Sequence, residues 1–324
     1  MVPYPEEEVP SGDWIAIDTE YSPTGELLTV GLANATRAIA FDVEDTTEWK
    51  STVMSCLSQA KGIVGHSVSG DLVQLHQANL LPTTGLVSQW MLGQRVVDSL
   101  NTCRMENENL QSYELETLLL SKLPVQPWKS ISQAHLTMNP KLGMLAVPSD
   151  LRRMRCRLDA WASYVLTKTA LESGQSPKLR AFIQRVTSLF NRIELTGAIV
   201  DLPRLGEIRK KVEAELFLLG DQLRRISIAQ GMEAFSPSND GHIRELLYQR
   251  LKLPVLARTG KKKLPSVDKS TLSQLDDPVA DLLQNFNKLD KIHSTYISGM
   301  DKYTQQVTGY LSARFDPLGA RTGR

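Results

Sequence analysis

Several residue types and segments that would assign a protein class are scarce or missing in this chain of 324 residues. It has only three cysteines, Cys56, Cys103 and Cys156, which are far apart and form no Cys-x-x-Cys pair. We therefore expect reduced thiols rather than disulfides or a zinc site. No apolar run approaches the roughly 20 residues that span a bilayer, and the acidic N-terminus does not resemble a signal peptide. These absences predict a soluble intracellular protein that is neither secreted nor bound to a membrane.

The chain also lacks a strong charge of either sign, because its formal net charge is only +1. Such a balance neither demands nor excludes a nucleic-acid partner, so the distribution of the positive charges has to decide. Hydrophobic residues make up 41% of the sequence, which is enough for packed cores and argues against wholesale disorder.

The hydrophobic pattern changes along the chain. In the first part it predicts strands at 14–18, 27–33, 38–43 and 62–66, and helices at 46–60, 71–80, 110–123 and 157–174. Strands followed by alternating strands and helices favour an α/β domain of about 170 residues. Beyond a boundary near QSPK (175–178), the pattern is helical at 178–197, from Pro203 to Gly231, at 240–251 and at 278–306.

Acidic residues stand at two chain positions where a metal site could form. Asp18 and Glu20 flank Thr19 at the end of a predicted strand, so their side chains point to the same face. Oxygen ligands of this kind suit Mg²⁺ or Mn²⁺. Asp71 follows GHSVSG at the start of a predicted helix. Taken singly, Asp18 and Glu20 are more simply explained as solvated acids beside a turn, and Asp71 can be explained as a helix cap.

The order of these residues resembles the motifs of the DEDD exonucleases. The segment AIDTEYSPTGELLTVGLA resembles the first motif, Asp71 lies where the second motif has an acid, and Tyr164 lies on a late helix. The resemblance implies a two-metal site in which Asp18, Glu20 and Asp71 are ligands of Mg²⁺ or Mn²⁺. It also implies that Tyr164 orients the attacking water.

Two positions depart from the pattern of that family. Ser67 replaces the usual Asn of the second motif, and the Tyr-x-x-x-Asp of the third motif becomes Tyr164-Val-Leu-Thr-Lys168. A protonated lysine cannot ligate a metal ion and repels one nearby. Glu172 lies one turn further on and is more simply explained as a surface partner of Lys168. We therefore expect the exonuclease activity to be strongly impaired or absent.

The second part of the chain resembles family A, or polymerase I-like, DNA polymerases. The matching segments are IELTGAIVDLPRL (193–205), GMEAFSPSNDGHIRELLYQRLKLPV (231–255), ARTGKKKLPSVDKSTLSQL (257–275), LDKIHSTYISGM (289–300) and ARFDPLGARTGR (313–324). A lysine-rich loop is the footprint expected of contacts with phosphate groups. The residues that the resemblance assigns to DNA binding are Arg258, Lys261, Lys262, Lys263, Lys269, Ser294, Thr295, Tyr296, Arg321, Thr322 and Arg324.

Together the two resemblances predict an α/β fold of the ribonuclease H-like (DEDD exonuclease) type, with a mixed sheet flanked by helices. An elongated, mostly α-helical polymerase thumb is expected to follow it. The implied domains are a 3′–5′ exonuclease-like domain at 1–176, the thumb at 177–312 and the start of a palm at 313–324. Primer–template duplex and a single-stranded 3′ end are the implied DNA partners, in the cytoplasm of a bacterium or a virus-infected cell.

The palm aspartates of the family lie beyond Thr-Gly-Arg, so we expect a partial chain without the polymerase active site. Deoxynucleotides would then bind only the longer parent, a DNA-directed DNA polymerase acting in replication. With no 5′-nuclease segment in front, the arrangement resembles phage or viral polymerases. Two alternatives remain open, a stand-alone DEDD exonuclease of the RNase D type and a non-catalytic DNA-binding scaffold.

Overall fold

The computed structural model describes residues 3–44, 48–81, 95–172, 174, 176–260, 262–304, 309–311 and 313–320. The chain divides into two compact units. Unit 1 comprises Met1–Gly197 and Ser312–Arg324, and unit 2 comprises Ala198–Leu311. Among the described residues, no helix combines the length and the apolar character that crossing a membrane requires.

A five-stranded mixed sheet forms the centre of unit 1. Its strands are β1 (Trp14–Tyr21), β2 (Leu27–Ala33), β3 (Ala38–Asp42), β4 (Gly62–Gly65) and β5 (Val96–Asp98). In space the order is β3-β2-β1-β4-β5. The first three strands are antiparallel neighbours, whereas β4 pairs in parallel with both β1 and β5. The strand that carries Asp18 and Glu20 is therefore the central one.

Helices cover the sheet of unit 1 on both faces. They are α1 (Glu48–Gln59), α2 (Ser69–Gln77), α3 (Ser99–Glu106), α4 (Leu115–Lys122), α5 (Ser130–Met138), α6 (Ser149–Leu171) and α7 (Pro177–Thr196), with a short 3-10 turn at Gly143–Ala146. Ile15 and Ile17 pack in one core with α1 and α2, whereas Ala16 packs in a second core with α4 and α6. Because side chains alternate along a strand, Asp18 and Glu20 share the face of Ala16.

The long helix α6 lies unusually close to the sheet. A Cβ atom on Gly31 of β2 would meet the carbonyl oxygen of Cys156 at 2.6 Å, so only glycine permits this approach. The Cys156 thiol donates to the carbonyl oxygen of Asp18 at 3.3 Å. Further along, the buried Arg152 pairs with Asp42 of β3 at 3.2 Å. These contacts fix α6 against β1 at the end of the strand where the acids lie.

Unit 2 is mostly helical. Its elements are β6 (Ala198–Ile199), α8 (Leu202–Ala229), α9 (Asp240–Arg244), α10 (Lys269–Leu272), α11 (Pro278–Lys291), α12 (Ser298–Tyr303) and β7 (Tyr310–Leu311), with π-helical segments at Glu245–Arg250 and Ile292–Ile297. The main core joins α8 to α11 through residues such as Leu223, Leu283 and Phe286. The short strands β6 and β7 pair in antiparallel fashion.

The predicted mixture of an α/β part and a later helical part is confirmed. Helix α7, which was expected to open the thumb after residue 176, belongs to unit 1 instead. It packs on α2, α3 and β5. The boundary therefore follows Gly197, whose φ of 56° ends the helix.

Candidate active site

Three carboxylates from two elements meet beside the central strand. Asp18 and Glu20 come from β1, and Asp159 comes from α6. Their ligand oxygens all lie within 4.8 Å of one another. Distances of this size allow several carboxylates to share one divalent cation, since Mg²⁺ binds oxygen at about 2.0–2.1 Å.

A fourth carboxylate, Asp71, approaches from the opposite face of β1. The backbone N–H and the hydroxyl of Thr19 donate to Asp71 Oδ1 at 2.8 and 2.7 Å. Thr19 stands between the two acids of β1, so this pair of hydrogen bonds sets the position of Asp71 relative to both. Asp71 lines a cavity of about 450 Å³ together with Asp18, Glu20 and Asp159.

The turn that precedes the helix of Asp71 is held by another buried acid, Asp98. Its carboxylate accepts hydrogen bonds from the backbone N–H groups of Ser67, Val68 and Leu100, at 3.0, 3.2 and 2.9 Å. Ser67 itself adopts a left-handed conformation with a φ of 59°. Asp98 thereby caps α3 and fixes the sharp turn from β4 into α2.

Burial and mutual repulsion disfavour the charged forms of these acids. Desolvation, followed by the charges of Asp159, Asp71 and Glu20, raises the pKa of Asp18 well above its usual value. Desolvation raises the pKa of Glu20 to about 7, although Arg155 opposes the shift. It also raises the pKa of Asp71 to about 7, against the hydrogen bonds from Thr19. Bound divalent cations would favour the ionised forms of all three.

Basic side chains also reach this carboxylate cluster. Arg155 Nε lies 3.1 Å from Glu20 Oε1 and 3.8 Å from Asp159 Oδ2. Lys129 Nζ lies 2.9 Å from Asp159 Oδ2, and Trp128 Nε1 donates to Asp159 Oδ1 at 2.8 Å. Arg314 lines the same cavity, and its Nη2 donates to Ser67 Oγ at 3.2 Å.

The sequence pattern assigns the position of the fourth carboxylate to Lys168. In the structure, Asp159 lies with the other acids instead. Lys168 stands nine residues further along α6, which is about 13 Å along the helix axis. Tyr164 packs in the core beside Val97 and lines a shallow apolar cavity with Trp14, at the beginning of β1. Neither residue lines the two cavities that the carboxylates share. Glu172 is exposed at the end of the helix.

The residue four positions before Asp159 is Arg155, so α6 contains Arg-x-x-x-Asp at the spacing of Tyr-x-x-x-Asp. The sequence carried a signal for this assignment, namely a lone acid among four arginines of RRMRCRLD (152–159). The Tyr-x-x-x-Asp motif does not match this segment, because Arg155 stands at the position of the tyrosine. An acid that is 4% exposed on a helix of that composition requires partners.

His66 has a structural role. Its Nδ1 is paired with Ser99 Oγ and its Nε2 with the carbonyl oxygen of Tyr113, both at 2.9 Å. Desolvation lowers the pKa of His66 to about 4, so the ring is neutral near pH 7. A neutral ring whose two nitrogens are both engaged is not available as a general base.

The basic segment of unit 2 forms a tight turn. Thr259 N donates to the carbonyl oxygen of Leu264 at 2.8 Å, and Arg258 Nη1 donates to that of Lys263 at 3.0 Å. The predicted DNA-binding residues Arg258, Lys262, Lys263 and Lys269 are all exposed. Ser294, Thr295 and Tyr296 are exposed on the π-helical segment Ile292–Ile297. The remaining ones, Lys261, Arg321, Thr322 and Arg324, lie outside the described residues.

Comparison with known proteins shows similarity to one family of polymerases. The model of the family "DNA polymerase family A" matches residues 203–324. The thermostable DNA polymerase I of Thermus thermophilus is 27% identical over 135 residues, 41% of this chain and 16% of that protein. The DNA polymerase I of Synechocystis sp. is 23% identical over 233 residues, 65% of this chain and 23% of that protein.

The fold has a counterpart among solved structures. The POL domain of Pol1 from M. smegmatis, in complex with DNA primer-template and dNTP, superposes with a TM-score of 0.57 at 15% identity. The likeness covers 97% of this chain and 50% of that one. The chain therefore spans about half of the solved domain and matches less than a quarter of each of these two polymerases. The family model matches residues of the second part of the chain, whereas the match to the Synechocystis polymerase extends over 65% of the chain.

Proposed function

We propose that this chain is part of a family A DNA polymerase that acts in DNA replication or repair. In this proposal, unit 1 is a metal-dependent 3′–5′ nuclease unit, and unit 2 is a thumb that grips primer–template DNA. The match of residues 203–324 to the family model supports the polymerase assignment. The strongest support for a nuclease role is the meeting of Asp18, Glu20 and Asp159 in one cluster.

The donor set fits a divalent cation of the hard type. Every ligand atom is a carboxylate oxygen, which Mg²⁺ and Mn²⁺ prefer over nitrogen and sulfur. Asp18, Glu20 and Asp159 would hold the ion, with Asp71 adding charge from the other side of β1. A divalent ion in such a place supplies an activated water and stabilises the departing oxygen of a phosphodiester.

The protein's own residues provide the remaining requirements for a nuclease. Cavities of about 450 and 590 Å³ lie beside the cluster, and both are lined by Asp18, Arg155 and Asp159. Arg155 and Lys129 add positive charge where a phosphate group would lie. In this proposal, the pocket receives the 3′ end of a single strand.

We further propose that the nuclease is slow. The reason differs from the one inferred from the sequence, because Asp159 supplies the carboxylate that Lys168 was thought to replace. Arg155 instead stands at the position of the tyrosine in the Tyr-x-x-x-Asp pattern. A guanidinium cannot accept a proton or a hydrogen bond. It therefore cannot orient an attacking water in the way assigned to a tyrosine hydroxyl.

The test uses the 324-residue chain and a single-stranded oligonucleotide labelled at its 5′ end. We expect slow shortening from the 3′ end with Mn²⁺ or Mg²⁺, and loss of shortening in Asp18→Asn. Glu106→Gln is the matched control, since Glu106 pairs with Lys122 in unit 1 and does not line either cavity. Shortening that persists unchanged in Asp18→Asn would refute the nuclease proposal.

A second candidate is the non-catalytic DNA-binding scaffold, favoured by the three cations beside the carboxylates. Under that hypothesis, Asp18→Asn leaves DNA affinity unchanged and the wild-type chain shortens no strand with either metal. The stand-alone RNase D type of nuclease is disfavoured, because it does not account for the polymerase match of residues 203–324.

A further inference from the structure

We propose that the carboxylate cluster holds one divalent cation. Arg155 and Lys129 neutralise the negative charge that a second cation would need. This inference rests on the proposed metal-dependent function and concerns the same site. The resemblance to DEDD exonucleases implies two metal ions. The donor set of this chain disagrees with that number, because fixed positive charges already engage its carboxylates.

The two carboxylate oxygens of Asp159 show most clearly that groups of the protein already occupy the donor set. Oδ1 accepts a hydrogen bond from Trp128 Nε1 at 2.8 Å, and Oδ2 is paired with Lys129 Nζ at 2.9 Å. Both oxygens are thus engaged by groups of the protein. A metal ion can share one of them through a remaining lone pair, but bridging two ions would require displacement of Lys129.

Glu20 is engaged in the same way by Arg155. The Nε atom of Arg155 lies 3.1 Å from Glu20 Oε1, and its side chain is 15% exposed. Arginine stays charged at any accessible pH and has no lone pair to offer a metal. A tyrosine at this position would be neutral. Arg155 therefore adds one permanent charge that the Tyr-x-x-x-Asp pattern does not have.

Charge balance then limits the number of ions. The cavity of about 450 Å³ is lined by four acids, Asp18, Glu20, Asp71 and Asp159, and by two cations, Arg155 and Arg314, which leaves two net negative charges when all are ionised. One divalent ion neutralises this lining, whereas two change its charge to +2. In a partly buried site, an excess of that size is opposed by strong Coulomb repulsion.

Arg314 is held in place rather than free to leave. Its neighbour Asp316 accepts two hydrogen bonds from Arg104 at 2.7 and 2.6 Å. The backbone N–H of Phe315 donates to Glu194 Oε1 at 2.6 Å, and the Phe315 ring packs on Phe190. The positive charge of Arg314 therefore stays in the cavity that Asp71 lines.

The number of ions can be counted directly by titrating the full chain with Mn²⁺ at pH 8 and measuring free Mn²⁺ by electron paramagnetic resonance. Ions bound elsewhere are subtracted by using the Asp18→Asn version of each protein. We expect one ion per wild-type chain at the cluster and two in Arg155→Tyr. The matched control is Lys122→Gln, because the Lys122–Glu106 pair is as exposed as Lys129 but lies outside the cavities.

Circular dichroism verifies that each variant is folded. If the Arg155 variant does not fold, Lys129→Gln supplies an independent result, for which we expect about tenfold tighter Mn²⁺ binding. Two ions in the wild type, or one ion in a folded Arg155→Tyr, would overturn this inference and leave the nuclease proposal intact. No Mn²⁺ bound at the cluster in wild type or variants would overturn both.

Discussion

At the scale of single residues, the chemistry of unit 1 depends on which acid α6 contributes. Lys168 and Asp159 lie on the same helix, but only Asp159 faces the end of β1 that carries Asp18. The sequence pattern predicted Asp18, Glu20 and Asp71 as the acids of a metal site, and the structure holds Asp71 against Thr19, between the two acids of β1. It could not locate Asp159, because the tyrosine that was expected to mark the motif is an arginine, Arg155.

Substitution of Asp159 tests this assignment. We expect Asp159→Asn to reduce metal-dependent strand shortening by about 100-fold or more, because it removes one ligand charge from the ion. Lys168→Gln serves as the control on the same helix and should change the rate less than about twofold. The rates are measured on the single-stranded oligonucleotide at saturating Mn²⁺. Equal rates for Asp159→Asn and wild type would contradict the assignment.

The raised pKa of Asp71 predicts a pH-dependent stability. The folded pKa of about 7 exceeds the ordinary aspartate value of 3.8, so the folded chain binds the proton more tightly than the unfolded chain. Stability from this group is complete below about pH 4 and is lost as the pH rises through about 7. Asp71→Asn keeps an oxygen acceptor for Thr19 without the charge.

We therefore expect Asp71→Asn to raise the melting temperature of the metal-free chain at pH 8 by several degrees. That corresponds to a gain in the free energy of unfolding on the order of 2 kcal/mol. At pH 4 the variant and the wild type should melt within a degree of each other. Thermal melts in the presence of a chelator measure both values. If Asp71→Asn is instead less stable than the wild type at pH 8, neighbouring groups compensate the buried charge of Asp71 and this prediction is wrong.

At the scale of elements, the sheet and the long helices were predictable from the sequence, and the short connecting elements were not. The strands β2 and β3 were predicted within a residue of their observed ends, because apolar runs and turn signals bound them. The three-residue strand β5 and the helices α3 and α5 were missed. A strand as short as β5 is set by its pairing with β4 rather than by a periodic pattern.

One of the missed elements positions the site. Asp98 ends β5, caps α3 and holds the turn before α2, so it uses both carboxylate oxygens for three backbone donors. Replacement by Asn presents an N–H₂ group to one of these donors. We expect Asp98→Asn to lower the free energy of unfolding by about 1–3 kcal/mol and to weaken Mn²⁺ binding by displacing Asp71.

The control for this prediction is another helix cap. Asp201 caps α8 and accepts from the N–H of Arg204 through Oδ1 at 2.9 Å. Asn caps helices about as well as Asp, so Asp201→Asn should change stability by less than about 0.5 kcal/mol. Urea denaturation measures both variants. If Asp98→Asn lowers the free energy of unfolding by no more than Asp201→Asn does, Asp98 does not fix the turn between β4 and α2.

At the scale of the whole molecule, the two units carry different types of residue. The acids and their paired cations lie in unit 1, whereas an exposed basic turn with no carboxylate cluster among its described neighbours lies in unit 2. Composition could not show this division, because the charges cancel to +1 over the chain. The division predicts that metal binding and duplex binding can be separated by mutation.

Neutralising the basic turn tests that separation. We expect the double substitution Lys262→Gln and Lys263→Gln to weaken binding of a primer–template duplex. The slope of log K against log salt concentration should become shallower by up to about 0.9 for each phosphate group that the turn no longer neutralises. Fluorescence anisotropy over a range of salt concentrations measures both effects. Because these lysines belong to unit 2, Mn²⁺ binding at Asp18 should stay unchanged.

The matched control removes the same charge from another surface of unit 2. Lys210 and Lys211 are exposed on α8, outside the turn. If phosphate binding is specific to the turn, Lys210→Gln with Lys211→Gln leaves the salt dependence of duplex binding at its wild-type value. Equal losses of affinity in the two double variants would mean that the duplex responds only to the total charge of unit 2, and the thumb assignment of the turn would then fail.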